Sequence, residues 1–219
     1  MVNGEYLLRL RDLEITLESI ERSGEYEVSL EQYPTPSRIA SAILFAAQME
    51  HGDIIDKTVI DLGCGDGIFA LGAALLGAQR VIGIDVQSKA LKVSQMNSRL
   101  LGTEGTVDWV LGDVSSLQLH CLVDTVVSNP PFGVKKRGAD LRFLRKAISI
   151  ADVTYSIHLS GDKNRIFLEK EVENLGARVT QIETFQFPIG KLFDYHRKQV
   201  HMVDVDLYRI CSKECEQNG

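Results

Sequence analysis

Two groups of residues have the types and spacing to do chemistry: the tetrapeptide Asn129-Pro130-Pro131-Phe132 and, upstream, a glycine-rich turn, Asp61-Leu62-Gly63-Cys64-Gly65-Asp66-Gly67. The tetrapeptide follows an apolar run, Asp124 to Ser128, that reads as a buried strand. A residue before proline avoids the helical region, so Asn129 is held extended at the strand's carboxyl end. Its side-chain amide then points into the crevice that opens there, with Phe132 as a wall. Such a corner can grip the amino group of a planar base and stack its ring. The glycine turn lets the backbone approach a nucleotide-like cofactor next door, with a helix N-terminus ready for a negative group.

The elements that must position these residues follow from periodicity. Residues 5–22 read as an amphipathic helix with Leu10, Leu13, Leu17 and Ile20 on one stripe, stopped by Gly24. A second helix runs from Pro36 to about Glu50, with Thr35 as its N-cap. Strands and helices then alternate. Strands are expected over 58–62, 80–85, 107–111, 124–128 and 154–159, and helices over 68–76, 88–101, 140–151 and 162–175, the last capped by Asp162. The remainder, 177–187 and 200–210, reads as two long strands joined by a polar loop. This pattern calls for an α/β fold, a mostly parallel sheet covered on both faces, with an antiparallel member at or near one edge.

Composition sets the outer limits. The 219 residues suit one domain, with 212–219 as a flexible tail. Apolar content of 44% and charged content of 25% are those of a soluble globular protein. The first 22 residues carry too many charges for a signal peptide, and the longest apolar stretch, Phe69 to Ala78, is too short to span a bilayer. The cysteines at 64, 121, 211 and 215 form no C-x-x-C pair, so the expectation is free thiols in the cytoplasm and no structural metal. The net charge of −6 excludes a generally basic nucleic-acid binder, yet its distribution is uneven. Residues 1–60 hold 5 basic and 11 acidic side chains, whereas residues 134–170, directly after the Asn-Pro-Pro-Phe corner, hold 9 basic and 4 acidic. A positive patch beside a reactive corner can hold phosphates whatever the global charge.

The spacing of the glycine turn is G-x-G-x-G, not the G-x-G-x-x-G of dinucleotide binders. Asp85 ends the next strand, 20 residues beyond Gly65, where an acidic residue meets ribose hydroxyls in a doubly wound sheet. Asp113 ends the third strand and can accept a hydrogen bond from an adenine amino group. All three strand ends lie at the carboxyl edge, where open α/β sheets bind ligands.

Together, Asp61 to Gly67, Gly83-Ile84-Asp85, Gly112-Asp113-Val114 and Asn129-Pro130-Pro131-Phe132 resemble a class I S-adenosylmethionine-dependent methyltransferase. The run Leu30-Glu31-Gln32-Tyr33-Pro34-Thr35-Pro36 narrows this. It is similar to that of the small-subunit ribosomal RNA adenosine N6-methyltransferases of the methyltransferase-like-five group and their archaeal counterparts. The resemblance implies a Rossmann-like seven-stranded methyltransferase fold, with residues 1–35 forming an extra N-terminal helix and a cofactor-covering segment. By the same resemblance, Gln32 and Thr35 line the cofactor pocket. Gly63, Asp66 and Ile68 pack against the methionine part, Asp85 holds the ribose, Asp113 and Val114 flank the adenine, and Asp61, Gly65 and Val86 also belong to the cofactor site. Asn129 touches both cofactor and target base. It also implies a small zinc-containing activator protein that adds a strand to the sheet edge, and the apolar run Val107 to Leu111 suits that edge.

For methyl transfer, the Asn129 side-chain oxygen and the Pro130 carbonyl would accept the amine's N–H bonds, the two prolines would stiffen the corner, and Phe132 would stack on the base. The target base must leave its stack to reach this corner. Lys135, Lys136, Arg137, Arg142, Arg145 and Lys146 could hold the flanking backbone. His196, Arg197 and Lys198, with Lys191, Phe193 and Tyr195, form a second basic and aromatic cluster suited to looped RNA. His158 could line the substrate cleft or be structural, and Trp109 is expected in the core. Protein glutamine N5-methylation, guanine N2-methylation and a non-catalytic cofactor-binding subunit remain open alternatives. A nicotinamide dehydrogenase is disfavoured by the glycine spacing.

Overall fold

The computed structural model describes residues 8–23, 33–119, 121–132, 138–190 and 200–212. After helices α1 (Leu10–Glu18) and α2 (Ser37–His51), strand and helix alternate: β1 (Thr58–Leu62), α3 (Ile68–Leu75), β2 (Arg80–Asp85), α4 (Ser88–Leu101), β3 (Val107–Leu111), β4 (Val123–Ser128), α5 (Ala139–Ile150), β5 (Ala151–Leu159), α6 (Asp162–Asn174), β6 (Ala177–Gly190) and β7 (Val200–Ser212). A 3-10 turn, Val114–Ser116, follows β3. The seven strands form one sheet in the order β3-β2-β1-β4-β5-β7-β6. The first five are parallel, and β7 lies antiparallel between β5 and β6. This is the Rossmann-like seven-stranded methyltransferase fold expected above.

Central strands such as β4 are apolar on both faces because helices cover both. Leu13 and Leu17 of α1, Ile43 and Leu44 of α2, and Leu71 of α3 pack with Val59, Val127 and Ile157 on one side. Ala147 and Ile150 of α5 pack with Ile60, Leu62 and Val126 on the other, and Leu168 and Val172 of α6 cover Tyr208 and Ile210. The chain order reverses between β1 and β4. The crevice at their carboxyl ends is therefore the switch point at which ligands of such sheets bind.

Several boundaries differ from the sequence reading, each for a local reason. Among the described residues α1 spans only Leu10–Glu18, and Gly24 lies outside them. Thr35 is not the cap of α2: Pro36 takes that position without a side-chain bond, because the Thr35 hydroxyl is engaged by Asn129. Gly161 takes the cap position of α6, and Asp162 is its first helical residue. Strand β5 starts at Ala151, before the expected Thr154, because Ala151 and Val153 pair with Val123 and Thr125 of β4. Tertiary pairing overrides the helical pattern there.

Trp109 is half-buried against the core, and its ring explains two glycines. Gly83 is its register partner on β2. A Cβ at Gly83 would sit 2.4 Å from Trp109 Cζ3, and one at Gly67 would sit 2.5 Å from Cη2. Gly83→Ala should therefore overpack the β2–β3 seam and destabilise the protein by about 1–3 kcal/mol. That lowers Tm by roughly 2–4 °C per kcal/mol. Adding Trp109→Leu should recover most of the loss in thermal unfolding. A Gly83→Ala protein that melts with the wild type would contradict the close approach.

Candidate active site

The glycine turn is built from three left-handed residues, Gly63 (φ +74°), Gly65 (φ +51°) and Gly67 (φ +87°), which is why alternate positions must lack a Cβ. Two carboxylates brace it. Asp85 accepts the Gly65 N–H through Oδ2 at 2.9 Å and the Gln87 N–H through Oδ1 at 2.8 Å. Asp61, 1% exposed, accepts the Ala70 N–H at 3.0 Å. Burial, and secondarily the charge of Asp85, pushes the Asp61 carboxyl up to about 7 despite that bond. Burial likewise raises Asp85 and the Cys64 thiol, the latter also through the charges of Asp61 and Asp85. The floor of the site thus holds two buried carboxyl groups whose ionised forms a ligand bringing positive charge would stabilise.

Asn97 of α4, fully buried, stitches the exit of α1 onto this turn. Its Oδ1 accepts the Glu21 N–H at 2.8 Å, and its Nδ2 donates to the Glu21 and Asp66 carbonyls. Asp66 Oδ1 accepts the Ser23 N–H at 3.2 Å, and Arg22 Nη2 donates to the Thr35 carbonyl at 3.3 Å. Arg22, Ser23 and residues 33–35 therefore roof a cavity of about 250 Å³ at the carboxyl edge of β1, β2 and β4.

Thr35, Asp61, Gly63, Gly65, Asp66, Ile68, Asp85, Val86, Asp113, Val114 and Asn129 all line that cavity, as do Pro130 and Pro131. Gln32 lies outside the described residues. Asp113 also caps the 3-10 turn, accepting the Ser115 N–H and hydroxyl through Oδ1. Asn129 is oriented by two donations from Nδ2, to Thr35 Oγ1 at 3.0 Å and to the Tyr33 carbonyl at 3.3 Å. Its Oδ1 is buried and has no hydrogen-bond partner among the described residues. A buried acceptor left unmade costs about 1–3 kcal/mol, so it marks a place where a ligand donor belongs. A glycine cradle, a ribose-height carboxylate and an aimed acceptor fit a nucleoside with a charged tail beside an amino-group substrate.

The comparisons with known proteins agree. Residues 33–130 match the family model for ribosomal protein L11 methyltransferase. The chain is 34% identical over 208 residues to the Drosophila melanogaster rRNA N6-adenosine-methyltransferase Mettl5, covering 93% of this chain and 96% of that one. It is 32% identical to the Danio rerio protein of that name over 93% of this chain and 99% of that one. The chain belongs to the rRNA N6-adenosine-methyltransferase family. The crystal structure of a candidate RNA methyltransferase from Pyrococcus horikoshii superimposes with a TM-score of 0.86 at 40% identity, over 93% of this chain and 98% of that one. The protein is an RNA methyltransferase with S-adenosylmethionine as methyl donor.

Within this methyltransferase two expected roles are corrected. Phe132 does not wall the crevice. It is only 7% exposed, stacks on Tyr33 (centroids 5.8 Å apart, 16° between planes) and meets Phe187 edge-on at 6.0 Å. An apolar ring gains more from aromatic partners beneath the corner than from facing water, so it supports the corner instead. Arg145 pairs with Glu171 at 2.6 Å, and Lys146 donates to the Leu117 carbonyl at 2.6 Å, so both are committed to packing α5. Arg142, by contrast, is exposed at the cavity rim. Lys135, Lys136, Arg137, Lys191, Phe193, Tyr195, His196, Arg197 and Lys198 lie outside the described residues.

His158 is not among the residues lining the cavity: 2% exposed, it bonds Ser156 Oγ through Nε2 at 2.9 Å, meets Tyr208 edge-on and turns Nδ1 toward Asp140 at 3.6 Å. Sequence reasoning missed Arg22, Ser23 and Phe143 as lining residues. Phe143 packs against the glycine turn, where a Cβ at Gly63 would sit 2.8 Å from its Cε1, a contact no sequence pattern announces. No described helix is long and apolar enough to cross a membrane.

Proposed function

We propose that this enzyme methylates the N6 amine of an adenosine in small-subunit ribosomal RNA, taking the base flipped from its stack. The unpartnered Oδ1 of Asn129, buried in the cavity that holds the glycine turn and Asp85, carries this reading. S-adenosylmethionine, when bound, supplies an electrophilic sulfonium methyl. The chain's own work is to present the amine. Asn129 Oδ1 and the Pro130 carbonyl each accept one N–H bond, which favours a pyramidal nitrogen with its lone pair aimed at the methyl. Thr35 and Tyr33 hold the Asn129 amide so that oxygen, not nitrogen, faces the amine. Phe132 and Tyr33 stiffen the corner by stacking on each other.

The match to the ribosomal protein L11 methyltransferase model ends at Pro130, so it spans the cofactor half of the chain and stops before α5 to β7. The rRNA N6-adenosine-methyltransferase relatives match over 93% of the chain, and that likeness supports RNA over a protein glutamine as substrate. Arg142 at the rim, with the basic segments around 135–137 and 196–198, would meet the RNA backbone. The sheet has two edge strands, β3 and β6, and an activator protein adding a strand would dock at β3, where Leu111 is 61% exposed.

Incubation with methyl-labelled S-adenosylmethionine and ribosomal RNA, followed by digestion to nucleosides, should place the label in N6-methyladenosine. Label in N2-methylguanosine, or in protein glutamine alone, would overturn the assignment.

A further inference from the structure

We propose that Arg22 reads the carboxylate of the cofactor's amino-acid tail and so sets the discrimination between S-adenosylmethionine and its decarboxylated form. Asp113, Val114, Asp85, Asn129, Asp61 and Asp66 all line one cavity. By the family resemblance Asp113 and Val114 would flank the adenine, Asp85 would hold the ribose and Asn129 would face the methyl. The amino-acid tail would then lie over the Gly63 to Gly67 turn, near Asp61 and Asp66. A zwitterionic tail needs a carboxylate for its ammonium and a cation for its carboxylate. Asp61 supplies the first.

Among the described residues the cavity lining holds two guanidinium groups, Arg22 and Arg142. Arg142 sits on α5, the helix whose buried face packs against Val114. It therefore serves the adenine and corner side. Arg22 is half-buried on the roof, between Glu21, which is tied to Asn97, and Ser23, which is tied to Asp66. Its donation to the Thr35 carbonyl fixes the guanidinium next to the residue that orients Asn129. A planar guanidinium placed there matches a carboxylate in geometry and charge. Thr35 and the backbone would accept a tail of either kind; among the described lining residues Arg22 is the one placed to distinguish a tail with a carboxylate from one without. The inference does not depend on which nucleotide is methylated.

The test is calorimetric binding of three ligands: S-adenosylhomocysteine, its decarboxylated analogue S-adenosyl-3-thiopropylamine, and 5′-methylthioadenosine, which lacks the whole tail. The wild type should prefer the first over the second by about tenfold or more, the worth of a hydrogen bond to a charged group. Arg22→Gln keeps a donor for the Thr35 carbonyl but loses the charge. It should weaken S-adenosylhomocysteine by about the same factor and leave the other two ligands within about twofold, erasing the preference. Arg22→Ala should repeat that pattern. An equal loss for all three ligands would show that Arg22 merely shapes the roof, and an unchanged affinity for S-adenosylhomocysteine would show that it meets no carboxylate; either result overturns the proposal.

Discussion

Asn129→Ala should reduce single-turnover methyl transfer by about 10²–10³-fold or more while cofactor affinity stays within about tenfold of wild type. The magnitude is that of removing one preorganised polar group aimed at developing charge in a water-poor site. Cofactor binding survives because its main anchors, the glycine turn and Asp85, bond to each other and to the backbone rather than to Asn129. Thr35 Oγ1 and the Tyr33 carbonyl lose a donor each, a local loss at the corner rather than at the cofactor's anchors. Asn129→Asp is the sharper control. It keeps an acceptor facing the amine yet puts a second oxygen against the Tyr33 carbonyl, so it should also fail, through misorientation rather than loss of the acceptor. An Asn129→Ala enzyme within tenfold of wild type in the chemical step would remove the corner from the mechanism.

The parts of this site that were legible in the sequence are those set by backbone geometry. Glycines at alternate positions announced a turn of left-handed residues. Carboxylates at successive strand ends announced the ligand edge, and the residue before two prolines announced an extended corner. Each signal is local, carried by neighbours along the chain. The parts that were not legible depend on contacts remote in sequence. Whether Phe132 faces a ligand or the core is decided by Tyr33 and Phe187, far from it in either direction along the chain. Whether Arg145 is available to RNA is decided by Glu171 on another helix. Arg22 has no motif at all: it becomes a lining residue because Asn97, on α4, captures the backbone beside it. Charge counting located the basic stretch but could not tell committed cations from free ones. Three residues apart on one helix, Arg142 and Arg145 have opposite fates.

Asp61 offers a test in which stability and binding move in opposite directions. Its carboxyl titrates near 7 in the folded protein, against about 3.9 in an unfolded chain. A raised folded value means that its stabilising contribution is complete below about pH 4 and is lost as pH rises through 7. Replacing it by asparagine, which can still accept the Ala70 N–H, should therefore raise the Tm of the cofactor-free protein at pH 7.5. Binding should respond the other way. If the ionised carboxylate meets the cofactor's ammonium, wild-type affinity climbs by up to about tenfold per pH unit from 5.5 to 7, as a proton no longer has to be displaced. The gain reverses at higher pH, where the ligand's own α-amino group deprotonates. Asp61→Asn should flatten the rising limb and bind more weakly than wild type at pH 7.5. Calorimetry in buffers of different ionisation enthalpy should also show proton release below pH 7 in the wild type alone. General damage to the fold would lower stability and affinity together. A variant that melts higher yet binds more weakly can only mean that the buried carboxylate is held ready, at a cost to the apoprotein, for a cation that arrives with the cofactor. A wild-type affinity that does not change between pH 5.5 and 7 would exclude Asp61 from that contact.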